Sequence, residues 1–169
     1  MLSKLYWIEG PWKGKLAITP RPRGYEWIED EILFWKDSDL EVIVSLLTRE
    51  EMVTLGLEEE ENFCSKYGLE FLSFPIVDRD VPESMLKTLN LVKELYAKLS
   101  NGKKIAIHCR QGIGRAALIA SALLVFSGVD PEKSFVAVSR ARGCSVPETS
   151  GQKDWIKRFA ENFIPLTMT

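Results

Sequence analysis

His108 is the only histidine in this 169-residue chain, and that scarcity excludes a good deal of chemistry. The usual zinc sites and the Ser-His-Asp triad both need histidines that the chain does not supply. Cysteine is nearly as scarce: Cys64, Cys109 and Cys144 are odd in number, far apart and never in a C-x-x-C pair. Neither a disulfide framework nor a zinc site is favoured, and at least one thiol stays free. No apolar run approaches the roughly 18 residues that span a bilayer. The start, Met1 to Glu9, is broken by charge before a signal-peptide core can form, so a cytoplasmic location is expected. Charge of neither sign dominates: 22 Lys and Arg face 24 Asp and Glu, a net charge of -2 with a pI near 5.6. That balance argues against nucleic-acid or membrane-surface partners, so any anion site must be local. Internal repeats and low-complexity tracts are also missing.

What is present is enough for one core. With 46% hydrophobic and 27% charged residues, the chain is expected to form a single domain over 1–169. Residues 5–8 and 15–18 read as short edge strands, and Ile28, Ile32 and Trp35 recur at helical spacing. Val42 to Leu46 is a β-branched strand run, and Thr48 and Glu51 have capping-box spacing for the helix that follows. Glu58 to Glu61, beside Phe63 and Lys66, reads as a solvated helix face without function. Leu69 to Phe74 is the next strand, and Met85, Leu89, Val92, Tyr96 and Leu99 form the apolar stripe of a helix. Ile105 to His108 is a strand. Ala116 to Phe126 is apolar all round, as in a buried central helix that Gly128 stops. Asp130-Pro131 starts a helix reaching about Arg142, and Trp155, Ile156, Phe159 and Phe163 mark a last one. The alternation predicts an α/β fold, a mostly parallel central sheet with helices on both faces, and ligands at the carboxyl ends of the strands.

At one such end lies His108-Cys109-Arg110-Gln111-Gly112-Ile113-Gly114-Arg115. A turn of this kind aims successive backbone N–H groups into one concavity, and the following helix N-terminus adds its positive end. A tetrahedral oxyanion is the natural guest. Arg115 offers a planar fork of donors matched to two phosphate oxygens, which a lysine could not reproduce. The same positive environment favours a thiolate at Cys109, a nucleophile able to attack phosphorus without metal or cofactor. A buried, inert cysteine is the commoner reading of a lone Cys at a strand end. A chance H-C-x-x-G-x-x-R match, however, has a probability on the order of one in a thousand in a chain this long.

The segment resembles the H-C-x5-R signature loop of the protein tyrosine phosphatases, and the size and element order resemble the small dual-specificity branch, over about residues 40 to 163. The resemblance implies a signature loop at 108–116, with Cys109 as nucleophile, Arg115 as phosphate clamp, and Arg110, Gln111, Gly112, Ile113 and Gly114 lining the phosphate site. It implies a general-acid loop at 75–83, where D-x-x-x-P puts Asp78 in register with Pro82 and leaves Asp80 as the alternative. Either carboxylate could instead serve a turn or a cap. Glu148-Thr149-Ser150-Gly151-Gln152 resembles the family's glutamine loop, here 147–152, in which Gln152 would position the hydrolytic water; a helix cap is the plainer alternative. His108 is expected to orient the loop through backbone hydrogen bonds and tune Cys109, its side chain pointing away from the thiol. One position departs: the usual Ser or Thr after the arginine is Ala116, as in the phosphatases of regenerating liver.

The function so implied is hydrolysis of phosphotyrosine, with phosphoserine and phosphothreonine, in phosphorylated protein substrates by a monomeric enzyme. Phosphoinositides or other small phosphate monoesters are the alternative, as is a slow-turnover domain that binds phosphoproteins.

Overall fold

The centre of the molecule is a strand buried along nearly its whole length. In the computed structural model, which describes residues 2–163, β5 (Lys104–Cys109) is buried from Ile105 onward. It lies between β2 (Lys15–Pro20) and β3 (Val42–Ser45), and both pair with it in parallel. β1 (Tyr6–Ile8) adds antiparallel to β2, and β4 (Glu70–Ser73) adds parallel to β3, giving the order β1-β2-β5-β3-β4. The expectation of an edge position for 15–18 is therefore corrected: of these first two strands, β1 is an edge and β2 is not. Leu16, Ala17, Ile18 and Thr19 are all buried, so both faces of β2 are covered, as an interior parallel strand requires.

Among the described residues seven α-helices cover the sheet: α1 (Ile28–Asp37), α2 (Arg49–Thr54), α3 (Glu60–Lys66), α4 (Met85–Ser100), α5 (Arg115–Phe126), α6 (Pro131–Arg142) and α7 (Ser150–Ala160). Alternation along β5 sorts its side chains between two cores. Ile105, Ile107 and Cys109 enter the larger one with α4 to α7, while Ala106 enters the smaller one with Ile28, Ile32 and Trp35 of α1 and Cys64 of α3. All twelve residues of α5 are buried, which explains its lack of a polar face. Truncating one of its leucines to alanine would cost about 2–5 kcal/mol.

Local signals agree with the boundaries. The Thr48–Glu51 and Thr149–Gln152 capping boxes both form, Asp130 caps α6 with Pro131 at its first position, and Gly143 ends it at φ 85°. Phe163 lies beyond α7 but packs on Phe126 and Phe159, with ring centroids 5.3 and 5.0 Å away. The acidic run needs a correction. Glu60 is not solvated: it is fully buried and bonds His108 at 2.6 Å. α3 lies on the smaller core, so the turn that carries it inward takes Glu60 along while Glu58, Glu59 and Glu61 stay outside. Among the described residues, no helix is long and apolar enough to cross a membrane.

Candidate active site

Cys109 is the last residue of β5, and its Sγ faces the turn that follows. The Gly112 amide donates to Sγ at 3.2 Å and the Ala116 amide at 3.5 Å, one from the turn and one from the first turn of α5. Gly112 has φ 74°, and a Cβ there would stand 2.9 Å from the Thr19 carbonyl carbon, so only glycine lets the turn pass the end of β2. The outer side of the turn is held as well. The Arg21 amide donates to the Arg110 carbonyl at 3.2 Å, and Arg142 donates through Nη2 to Gln111 O and through Nε to Gly112 O, each at 3.3 Å. Arg142 itself lies over the Tyr6 ring, 4.0 Å from the centroid.

Arg115 opens α5 and is 1% exposed, which a cation tolerates only with partners. Nη1 donates to Glu51 Oε1 at 2.7 Å and to Ile76 O at 2.8 Å; Nη2 donates to Glu51 Oε2 at 3.0 Å and to Asp78 Oδ1 at 3.0 Å. Its Nε has no protein acceptor among the described residues. Burial alone would weaken the cation, but the Glu51 hydrogen bonds and the charges of Cys109, Glu51 and Asp78 outweigh it and hold Arg115 above its ordinary pKa. Burial likewise pushes the Glu51 carboxyl up, yet its bonds from Arg115 and Thr48 win and hold it below the usual carboxylate range. Glu51 was absent from the sequence-derived site. Its signal was the Thr48 capping box, which showed where Glu51 sits without showing that a fork of oxygens remained for an arginine 64 positions later.

Asp78, Arg115, Cys109 and the turn residues line one small cavity of about 110 Å³. Asp80 does not: its Oδ1 accepts from the Val81 amide at 2.7 Å, as in an ordinary turn. Arg110 and Gln111 are exposed on the rim, Ile113 is half-buried against the core, and Gly114 is buried. Gln152 is buried, its Oε1 accepting from the Thr149 amide at 3.2 Å and its Nε2 donating to Asp80 O at 3.2 Å. His108 was expected to orient the loop through backbone hydrogen bonds, but its ring bonds Glu60, lies 5.8 Å from the Trp35 ring, and makes no hydrogen bond to the loop backbone among the described residues. Cys64 lies in the smaller core, where burial, and then the charges of Glu60 and Glu61, push its thiol up. It lies in a different core from Cys109. Cys144 is exposed, and all three cysteines are free.

A strand-turn-helix with these residues has known counterparts. The family described as "Polymorphic toxin system, DSP-PTPase phosphatase" matches residues 19–129, about two thirds of the chain. The chain belongs to that family. It is thereby a member of the cysteine-dependent protein tyrosine phosphatase superfamily, in its dual-specificity branch. This dual-specificity phosphatase chain is 33% identical over 109 residues to protein 197R of Invertebrate iridescent virus 6, covering 62% of itself and 40% of the viral protein. It is 25% identical over 128 residues to cyclin-dependent kinase inhibitor 3 of Rattus norvegicus, covering 75% of itself and 60% of that protein. The chain thus spans two to three fifths of the length of these curated relatives. The fold is that of kinase-associated phosphatase, with a TM-score of 0.89 at 20% identity, covering 95% and 96% of the two chains.

Proposed function

We propose that residues 1–169 form one phosphatase domain that hydrolyses phosphotyrosine, and also phosphoserine and phosphothreonine, in protein substrates through a phosphocysteine intermediate. The observation that carries this reading is the convergence on Cys109 Sγ of two backbone amides, at 3.2 and 3.5 Å, in a cavity shared with Arg115 and Asp78. Amides and guanidinium converge on the sulfur and cradle a phosphate dianion directly above it. The dianion takes the free Arg115 Nε donor together with the Nη2 donor that Asp78 holds. Sγ then forms a bond to phosphorus as the ester P–O bond breaks, and Asp78, displaced from Arg115 and protonated, gives its proton to the leaving oxygen. Water next attacks phosphorus as the S–P bond breaks and gives its proton to the Asp78 carboxylate, which releases phosphate and restores both the thiolate and the acid. The enzyme is proposed to act as a cytoplasmic monomer.

The test is hydrolysis of an aryl phosphate by wild type beside Cys109→Ser. The variant should lose turnover entirely yet still bind phosphate, because the cradle is backbone and Arg115. Comparable activity in the variant would end the mechanism.

A further inference from the structure

The loop that carries Asp78 is held at three successive residues by three different groups. Asp78 Oδ1 accepts from Arg115 Nη2 at 3.0 Å, Arg79 Nη1 pairs with Glu148 Oε1 at 3.3 Å, and the Asp80 carbonyl accepts from Gln152 Nε2 at 3.2 Å. The middle residue has φ 63°, a left-handed conformation that costs a non-glycine residue energy and persists only when its surroundings enforce it. Glu148 and Gln152 also lie against the signature turn: a Cβ on Gly114 would stand 3.1 Å from Gln152 Nε2 and 3.5 Å from Glu148 Oε1. The N-terminal end of α7, from Glu148 just before it to Gln152 in its first turn, thus touches both the turn that cradles phosphate and the loop that carries the acid.

The first of the three tethers cannot survive substrate binding, since phosphate competes with Asp78 for the same Arg115 donor. The other two use no Arg115 donor and so remain, although Arg79 and Glu148 themselves stand at the edge of the same cavity. We infer that Glu148 and Gln152 are positioning residues, which hold Arg79 and the Asp80 carbonyl so that Asp78 stays over the leaving oxygen after phosphate has displaced it from Arg115. Gln152 then acts on the first chemical step through the acid loop, rather than on the second through the hydrolytic water. This inference rests on the reading of Asp78 as the general acid.

The two steps differ in what they feel. Protonation matters for a poor leaving group and little for an activated one, whereas hydrolysis of the phosphocysteine is the same whatever alcohol has left. The variants are chosen to spare the fold. Gln152→Glu keeps the Oε1 acceptor of the capping box and removes the donor to Asp80 O, and Arg79→Gln alters a side chain that is 67% exposed. Single-turnover rates should fall roughly tenfold in Gln152→Glu and two- to fivefold in Arg79→Gln on phenyl phosphate. On an activated aryl phosphate they should change less than twofold, and Arg79→Lys should restore most of the loss. Asp78→Asn is measured alongside. If it shows no leaving-group dependence, the general-acid reading fails. If it does and the tether variants lose rate equally on both substrates, or only in phosphocysteine hydrolysis, the positioning role is overturned.

Discussion

Two buried clusters of ionisable side chains sit at the carboxyl end of β5, on opposite faces of the sheet, and they are built to opposite specifications. His108 and Glu60 are both fully buried, 2.6 Å apart, and their remaining polar atoms, His108 Nδ1 and Glu60 Oε1, have no hydrogen-bond partner among the described residues. Arg115 and Glu51 are also buried or nearly so, yet their cluster opens onto the cavity with a free Nε and an Asp78 that is about half exposed. The sealed pair has nothing to offer a ligand. The open one binds its partners in a way that leaves two donors for an exchangeable anion. Burial of ionisable groups is therefore not what sets the candidate site apart; unspent hydrogen-bonding capacity facing a cavity is.

The comparison can be broken in several ways. Asp78→Asn should lower the rate by about 10²–10⁴ on poor leaving groups and abolish the basic limb of the pH–rate profile, leaving stability nearly unchanged. If Asp80→Asn does this instead, the acid belongs to the other carboxylate. On the sealed side the balance should invert. Glu60→Ala strands His108 in the core and should cost about 3 kcal/mol in urea unfolding, with kcat per folded molecule altered only a few fold. A large fall in kcat at unchanged stability would show that the pair is not sealed in the sense that matters.

Ala116→Ser sharpens the open side. The Ala116 amide reaches Sγ, but its side chain offers no hydroxyl to the thiolate that departs from the phosphocysteine. Wild type should show a burst of alcohol followed by slow turnover, and the serine should raise the slow rate about tenfold, read by rapid mixing. No burst and no gain would mean that this hydrolysis is not limiting. The smallest effect concerns Glu51. Its folded pKa is lowered, so it stabilises the protein above its unfolded value of about 4.3 and loses that contribution as pH falls through the lowered folded value. Glu51→Gln should therefore flatten the acid limb of stability against pH, measured by thermal melts from neutral pH downward.

Much of the architecture was legible because its signals are local. The Thr48 and Thr149 caps, the Pro131 start and the all-apolar Ala116 to Phe126 run each depend on near neighbours. Cys109, the glycines and Arg115 were readable for the same reason, packed into one short motif. What stayed hidden spans the chain. Nothing local tells Glu60 from Glu59 until the fold sets α3 against β5, 48 residues on. Glu51, Arg142 and Glu148 likewise acquire their partners only through topology, and β2 became interior because β1 folds back beside it.

The arginines behind the turn have a consequence for how the cradle costs its energy. A peptide group is a rigid plane whose C=O and N–H point in opposite directions. Once the carbonyl is fixed on one side, the amide has no choice about the other. The Gln111 carbonyl is held from outside by Arg142, and the amide of that same plane, Gly112 N, is the one that meets Sγ. The Arg110 and Gly112 carbonyls are anchored in the same way by the Arg21 amide and Arg142. Three consecutive carbonyls are therefore held from outside while the chain folds, and under the proposed function the Gly112 amide is already turned toward Sγ before a phosphate arrives, with no reorientation there to oppose its binding.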